Sequence, residues 1–334
     1  MDGTNAGTGP DSVPGVREAT HPSLPRPLGR AGAAGVLWRF GRPHTVIGTS
    51  VGIAAIYAVA VAELAGGDLT ADLFDLACVL VAGWCVNVFI VGINQLEDVE
   101  IDRINKPELP IAAGELSVPA ARRIVALCAV VPVALAITQG AVELVSVAAA
   151  LLIGAAYSCP PVRLKRRPAI AALSITVVRT LIVNLGVWLH FAATFGGDTS
   201  LGAVPAAVWA LTALTLPYSF AIAVLKDVPD IEGDRRFDIA TFSVRLGARP
   251  VFAAGVGALL TAQLGMAVAG PLLVDDANGA LLAVANLAAA VLVVTWARRL
   301  DLDDRAAFTT FYQRVWRLFF AEYAVVAIAV LIGP

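Results

Sequence analysis

The stretch Asn94 to Ser117, NQLEDVEIDRINKPELPIAAGELS, follows directly on a long apolar run and decides how the rest of the sequence is interpreted. If the apolar helix continues into it, Asn94, Asp98 and Asp102 recur every four residues and share one helical face. Two carboxylates and an amide then project together from the end of a membrane helix. The prolines of the following NKPELP interrupt the helix, and we expect them to fold the loop back over the acidic face.

A second acidic stretch, KDVPDIEGD at residues 226–234, also follows an apolar run. Asp227, Asp230 and Asp234 step by three and then four residues, which again describes one helical face. Either stretch alone is more simply interpreted as a solvated run of charges. Two stretches with this carboxylate spacing instead predict a divalent-metal site. Mg²⁺ is the expected ion, because it takes hard oxygen ligands and often joins carboxylates to a substrate phosphate.

The composition places the chain in a membrane. Of its 334 residues, 58% are hydrophobic and only 15% are charged, and the mean hydropathy is +0.78. Soluble domains carry about 25% charged residues, so an integral membrane protein is predicted. The formal net charge of −2 says little about partners, and no nucleic-acid partner is expected. The four cysteines form no CxxC pair, which argues against a cysteine metal site or a disulfide framework.

The chain divides into a tail and one membrane domain. Residues 1–37 are rich in Gly, Pro, Ser and Thr, and we predict a disordered cytoplasmic tail. Residues 38–334 are predicted to form an all-α bundle of nine transmembrane helices around a central cavity, with a tight turn at Gly140. The predicted spans are His44–Leu64, Leu73–Ile93, Arg123–Gln139, Val142–Tyr157, Ile170–Phe195, Val204–Leu225, Val251–Leu273, Ala280–Ala297 and Trp316–Ile332.

The basic residues test the number of spans independently, because Lys and Arg collect in cytoplasmic loops. With nine spans and the amino terminus inside, every lysine and arginine except Arg179 falls on the cytoplasmic side. Eight or ten spans would scramble this partition. Both acidic stretches then face the cytoplasm, and so does the predicted active site. The excess of Arg over Lys and the abundance of Ala hint at a high-GC bacterial genome, so a bacterial cell membrane is the expected location.

Basic residues accompany both acidic stretches. Arg103 and Lys106 follow the first, and Lys226 begins the second. Such a mixture suits a metal-bridged diphosphate, with the metal on the acids and the spare phosphate oxygens on the bases.

The connection after the fourth span, YSCPPVRLKRRP at residues 157–168, carries a further basic cluster. Its last two arginines, Arg166 and Arg167, are explained about equally well by a role at the site and by positive-inside topology or contact with anionic lipid headgroups. Arg163 and Lys165 lie closer to Tyr157 and the double proline, which favours a role for them at the site.

The acidic stretches resemble the two aspartate-rich motifs of the UbiA superfamily of membrane prenyltransferases. Other segments are similar to its homogentisate phytyl, geranylgeranyl and solanesyl transferase branch. They are RPHTVIGT at 42–49, YSCPPVRLKR at 157–166, VNLGVWLH ending at His190, and TFSVRLG at 241–247. The resemblance covers about residues 38–330 and implies a helical fold with a cavity open sideways to lipid. The sequence departs from the branch pattern near Gly41 and Asp238, which bears on the acceptor more than on the diphosphate.

The resemblance implies Mg²⁺-dependent transfer of a polyprenyl group from a polyprenyl diphosphate to an aromatic acceptor that is homogentisate-like or hydroxybenzoate-like. It also implies which side chains act. Asn94, Asp98 and Asp102 would hold one Mg²⁺, and Asp227, Asp230 and Asp234 the other. Lys165 and Lys226 would grip the diphosphate, together with Arg103 and Arg163.

The acceptor's contacts are less clear from the sequence. Arg42 and His44 lie at the cytoplasmic end of the first span, where they either meet a carboxylate-bearing acceptor or anchor the helix at the interface. Arg179 lies about halfway down its span, where an ionisable residue is functional by default. Asn184, a little over one turn further on, is expected to share the cavity. Tyr157 either lines the cavity or is an interfacial tyrosine.

Four further ionisable residues are given no role in the chemistry. We interpret His190, near the opposite membrane face, as a structural histidine. Peripheral positions are expected for Glu63, Glu143 and Glu322.

Two other functions compete with aromatic prenyl transfer. A membrane terpene cyclase of the same superfamily would ionise the same diphosphate but quench the cation within its own chain, and the acids do not separate these two. An ion-coupled transporter could use Arg179 and acidic helix ends. Against a transporter, the acids collect at one membrane face rather than at the midplane. The expected partners of the preferred function are a polyprenyl diphosphate, a small aromatic acceptor and membrane lipid.

Overall fold

The computed structural model describes residues 32–236 and 240–333, and these ranges contain helices and loops without a β-strand. The predicted tail lies outside the described residues as far as residue 31, and so does Asp238. A short helix, Ala33–Phe40, already begins within the last residues assigned to that tail.

Nine helices in the described ranges are long and apolar enough to cross a membrane, which confirms the predicted number. The fifth contains a π-helical segment, Val177–Gly186, between two α-helical parts. The helices are α1 Ala33–Phe40, α2 Pro43–Leu64, α3 Leu73–Glu97, α4 Val99–Asn105, α5 Val118–Gln139, α6 Ala141–Ser158, α7 Pro168–Thr176, α8 Val187–Thr194, α9 Ala206–Leu225, α10 Ile231–Arg236, α11 Phe242–Leu246, α12 Ala248–Leu273, α13 Gly279–Arg298 and α14 Arg305–Ile332.

Local sequence signals explain where several helices begin and end. Ser117, Asn278 and Asp304 cap the starts of α5, α13 and α14, each by accepting a hydrogen bond from a backbone N–H of the first turn. Gly140 joins α5 to α6 with a φ of 107°, a conformation that favours glycine, and the predicted tight turn is confirmed. The last spanning helix begins at Arg305, well before the predicted Trp316, because hydropathy locates the apolar core of a helix and not its polar end.

The expectation of one continuous helix through the first acidic stretch is wrong. α3 ends at Glu97, and Asp98 leaves the helical region at φ −117° before α4 begins at Val99. The backbone N–H of Asp102 nevertheless donates to the Asp98 carbonyl at 2.8 Å. The carboxylates of Asp98 and Asp102 therefore stay on neighbouring turns, although the axis is broken between them.

The spanning helices enclose one large cavity of about 280 Å³. Its walls come from α2, α3, α6, the π-helical segment, α9 and α14, and most of the lining is apolar. The outer surface is apolar as well. Leu152 and Leu272 are 70% and 69% exposed, which is the expected environment of a lipid-facing side chain.

Close approach between α1, α3 and α5 depends on Gly92. A β-carbon there would lie 2.7 Å from Val125 Cγ2 and 2.8 Å from Phe40 Cζ. We expect Gly92→Ala to lower the free energy of unfolding by about 1–3 kcal/mol, because the methyl group overpacks a filled interface. The measurement is denaturant unfolding of the purified protein in detergent. Gly265→Ala in α12 is the matched control, since a β-carbon there meets no atom within 4 Å. Equal stabilities of the two variants would contradict this packing.

Candidate active site

The two acidic stretches meet at one end of the bundle, where α4 lies against α10. Asn105 donates from Nδ2 to Asp234 Oδ1 at 3.3 Å, and Lys106 forms an ion pair with Asp230. Arg305 supports the junction by donating to the Asn105 carbonyl at 2.7 Å. The prediction that the two stretches lie together is therefore confirmed by their contacts.

Asp98 is the best-connected acid of the first stretch. Asn94 donates to its Oδ2 at 3.0 Å, and Arg163 donates to its Oδ1 at 3.0 Å. Lys165 forms an ion pair with the same carboxylate, and its side chain is only 8% exposed. The loop after α6 thus brings Arg163 and Lys165 to the first acidic stretch, as their position near the double proline predicted.

Two carboxylate oxygens of the site are buried without a hydrogen-bond partner among the described residues. They are Oδ2 of Asp102 and Oδ1 of Asp230. Burial raises the pKa of Asp102 to about 6, with a further contribution from the charges of Asp98 and Asp230. Burial, together with the charges of Asp227 and Asp230, raises the pKa of Asp234 to about 7. Buried carboxylates that repel one another provide the oxygen ligands that a hard divalent cation prefers. The residues therefore fit Mg²⁺.

Neither predicted ligand set is preassembled. In the ranges 32–236 and 240–333, no group of three His, Cys, Asp or Glu side chains is arranged to hold a metal ion. Asp98 is engaged by Arg163 and Lys165, and Asp230 by Lys106. Binding of a metal would therefore require the lysines to move from the carboxylates to another anion.

Lys226 and Tyr157 form the mouth of the cavity. Lys226 Nζ donates to the Tyr157 hydroxyl at 2.9 Å and lies 3.6 Å from Asp227 Oδ1. Both residues line the cavity, as does Asn94. The mouth of the apolar cavity thus opens directly beside the acids.

Arg103 does not join the site, contrary to the role implied by the resemblance. Its side chain is 55% exposed and pairs with Glu100 at 2.6 Å. Asp102 faces inward on α4, and the next residue along a helix is rotated by about 100°. Arg103 therefore points away from the acids.

Deeper in the cavity, Arg179 is a cation placed among aromatic rings. Its guanidinium carbon lies 4.7 Å from the ring centroid of Trp316, and its Nη1 is buried without a hydrogen-bond partner among the described residues. His44 also packs against Trp316, with the two ring centroids 5.0 Å apart in an edge-to-face arrangement. Arg42 also lines the cavity. The predicted acceptor residues Arg42, His44 and Arg179 therefore share one space.

Asn184 is placed behind the wall of the cavity and does not line it. It is fully buried, donates to Thr215 Oγ1 at 2.9 Å and accepts from the Tyr323 hydroxyl at 2.8 Å. Its amide is satisfied by protein partners, so its predicted contact with substrate is replaced by a role in fixing Tyr323, which does line the cavity.

Of the predictions for the other ionisable residues, the one for His190 agrees with the structure and two of those for glutamates do not. His190 is 1% exposed and pairs with Asp75 at 2.8 Å, in agreement with a structural histidine. Peripheral positions are wrong for two of the glutamates. Glu143 is 5% exposed and lines the cavity, and Glu322 is 3% exposed beside Gln263.

The sequence interpretation missed the aromatic wall that α14 contributes. Tyr312, Trp316, Phe319 and Tyr323 all line the cavity. Their spacing of four, three and four residues marks one helical face. This signal was available, but the apolar residues around it in α14 concealed it. Asn105, which joins the two acidic stretches, was missed because it lies just before the proline-rich loop.

Comparison with known proteins assigns the chain to a family. The model of the UbiA prenyltransferase family matches residues 43–321. The chain belongs to the UbiA prenyltransferase family. The homogentisate phytyltransferase of Synechocystis sp. is 41% identical over 298 residues, covering 87% of this chain and 94% of that protein. The homogentisate geranylgeranyltransferase of Triticum aestivum is 35% identical, covering 86% of this chain and 70% of that protein.

A solved member of the UbiA family shares the fold. The structure of a UbiA homolog from Archaeoglobus fulgidus bound to DMAPP and Mg²⁺ superposes with a TM-score of 0.58 at 17% sequence identity. The match covers 87% of this chain and 99% of that one. Together with the nine apolar helices, it identifies an integral membrane protein built on the UbiA helical bundle.

Lys165 and Arg103 allow a matched test of which bases serve the site. We expect Lys165→Met to lower the rate of prenyl diphosphate consumption by about 100-fold or more, the typical cost of removing one donor that stabilises developing negative charge. Arg103→Met should stay within about threefold of the wild type, because an exposed surface ion pair contributes little. The kinetics of diphosphate release measure both. A large loss in the Arg103 variant with an unchanged Lys165 variant would contradict this assignment.

Proposed function

We propose that this protein transfers a polyprenyl group from an allylic polyprenyl diphosphate to homogentisate or a closely similar phenolic acid, releasing diphosphate. The observation that carries the proposal is the junction of two acidic stretches at the mouth of an apolar cavity. The names of the relatives support the acceptor class, since homogentisate is the substrate in both.

The residues at the junction suit recognition of a diphosphate. Lys106, Lys165, Lys226 and Arg163 lie around the carboxylates, and each of the four forms an ion pair with one of them in the described structure. These bases are free to bind phosphate oxygens once the carboxylates have another cation. Charge-assisted hydrogen bonds of this kind hold the leaving diphosphate and stabilise its developing charge.

Mg²⁺ is proposed as the cofactor, held by Asn94, Asp98 and Asp102 on one side and by Asp227, Asp230 and Asp234 on the other. When bound, it offsets the charge of the diphosphate and stabilises the charge that grows as the carbon–oxygen bond breaks. The homolog from Archaeoglobus fulgidus bound to DMAPP and Mg²⁺ supports this choice of ion.

The cavity beyond the mouth would exclude water from the reaction. Its apolar walls leave an allylic cation without a nearby hydroxyl nucleophile from solvent. The electron-rich ring of the acceptor then supplies the electron pair for the new carbon–carbon bond, and the attacked ring carbon loses its proton to restore aromaticity. Arg179 is the proposed anchor for the acceptor's carboxylate, since its buried Nη1 has no hydrogen-bond partner among the described residues.

The orientation in the membrane is also part of the proposal. Within residues 32–236 and 240–333, all lysines and arginines but Arg179 fall on the side that carries the acidic stretches, which the positive-inside rule assigns to the cytoplasm. We propose a bacterial cell membrane as the location, with the mouth of the cavity on the cytoplasmic side. The homolog from Synechocystis sp. makes a bacterial source reasonable.

Product analysis tests the proposed reaction. Purified protein in lipid receives Mg²⁺ and geranylgeranyl or phytyl diphosphate, with and without homogentisate or 4-hydroxybenzoate, and products are identified by mass spectrometry. We expect a product that contains both prenyl chain and ring, and its loss in Asp230→Ala but not in Asp303→Ala, an exposed acid on the same side. A cyclic hydrocarbon formed without acceptor would instead identify a terpene cyclase.

Arg179→Gln tests acceptor recognition. We expect kcat/KM for homogentisate to fall about 10- to 100-fold, the usual loss for one charge-assisted hydrogen bond, while the KM of the prenyl diphosphate stays unchanged. A methylhydroquinone, which lacks the carboxylate, is the matched substrate and should lose much less. Equal losses for both acceptors would show that Arg179 does not bind the carboxylate.

A further inference from the structure

One face of α6 lines the cavity along almost its whole length. Glu143, Val147, Ala150, Gly154 and Tyr157 all contribute to the wall. At a rise of 1.5 Å per residue, the distance along the helix from Glu143 to Tyr157 is about 21 Å. The cavity therefore runs from its mouth beside the acids to a point near the opposite membrane face.

Apart from Ser146, the far half of the cavity is apolar until it reaches Glu143. Ile53, Val79, Val147 and Val187 form its sides there, and they come from four different spanning segments. Glu143 is 5% exposed, in the first turn of α6. A buried carboxyl group at the end of an otherwise apolar passage has no part in the chemistry at the mouth, which lies about 20 Å away along α6.

A fixed polar cluster lies next to Glu143. His190 Nε2 and Asp75 Oδ2 are 2.8 Å apart, and Thr194 donates to the same Asp75 oxygen at 3.0 Å. Asp75 is 4% exposed, and both members of this pair act electrostatically on Glu143. α6 packs against α8, which carries His190 and Thr194. Glu143 thus forms a polar floor at the far end of the cavity, with this cluster behind it.

A prenyl donor has its charged group at one end and an apolar chain at the other. With the diphosphate at the acids, the chain is directed along the α6 face toward the polar floor. An apolar chain that reaches Glu143 desolvates its carboxyl group and offers no hydrogen bond in place of the lost partners. The free-energy cost of burying an unpaired polar group makes this unfavourable. A donor whose chain stops short of Glu143 avoids this cost.

We propose that Glu143 sets the upper limit of prenyl chain length, as a specificity-determining residue at the far end of the cavity. The inference rests on the proposed function, because it assumes that a prenyl diphosphate binds at the acids, with its chain inside the cavity along α6 and not out of the sideways opening that the family resemblance implies. It gives the buried carboxyl group a role that the transfer chemistry leaves unexplained.

Competition between donors tests the inference. The ratio of kcat/KM for solanesyl diphosphate to that for geranylgeranyl diphosphate is measured in the wild type and in Glu143→Leu. We expect the ratio to rise about tenfold or more in the variant, because leucine removes the cost of desolvating the carboxyl group at similar volume. Glu143→Gln should keep the wild-type ratio, since an amide also requires hydrogen bonds. Glu63→Leu, an exposed glutamate outside the cavity, is the matched control.

The outcomes separate this inference from the proposed function. If the wild type forms no prenylated ring, the proposed function fails. If it does, and folded Glu143→Leu keeps the wild-type ratio, only the inference is overturned. A geranylgeranyl diphosphate with a diazirine at the end of its chain gives a second measurement on the unaltered protein. Labelling of the α6 segment that contains Val147 and Ala150 supports the inference, and labelling confined to the lipid-facing surface overturns it.

Discussion

Burial of carboxylates at the end of a membrane bundle is the constraint on which the rest of this structure depends. Asp98, Asp102, Asp230 and Asp234 are each less than one-tenth exposed. Removing a charge from water costs free energy unless the charge is paired, and only some of these carboxylate oxygens have a partner. Lysines neutralise two of the carboxylates, while two oxygens keep no partner among the described residues. The site is therefore poised to gain both a cation and an anion, which a metal-bound diphosphate supplies together.

The membrane setting separates the chemistry along the axis of the bundle. Charged residues collect at the mouth, where loops supply Lys106, Arg163 and Lys165 to helix ends. Among the described residues that line the interior, the charged ones are Arg179 and, at the far end, Glu143, and most of the others are apolar. A donor with one charged and one apolar end matches a charged mouth followed by an apolar interior. An acceptor with a ring and a carboxylate matches the region around Arg179, between the mouth and the far end. The same bundle thus orients both proposed substrates through burial and charge.

The sequence predicted what depends on periodicity and composition. Nine spans, the turn at Gly140 and the meeting of two acidic stretches all follow from patterns of apolar, small and acidic residues. It did not predict what depends on packing between distant helices. Arg103 was assigned to the site although one residue of rotation turns it outward, and Glu143 was judged peripheral because its position near a loop does not reveal how α8 covers it.

The central claim, that the two acidic stretches form one diphosphate site, is tested most directly by a structure of the protein with Mn²⁺ and an unreactive prenyl thiodiphosphate. Anomalous scattering from Mn²⁺ locates the ions. The account predicts one ion at Asn94, Asp98 and Asp102 and another at Asp227, Asp230 and Asp234, with the diphosphate between them. Ions bound elsewhere, or a diphosphate away from both acidic stretches, would contradict it.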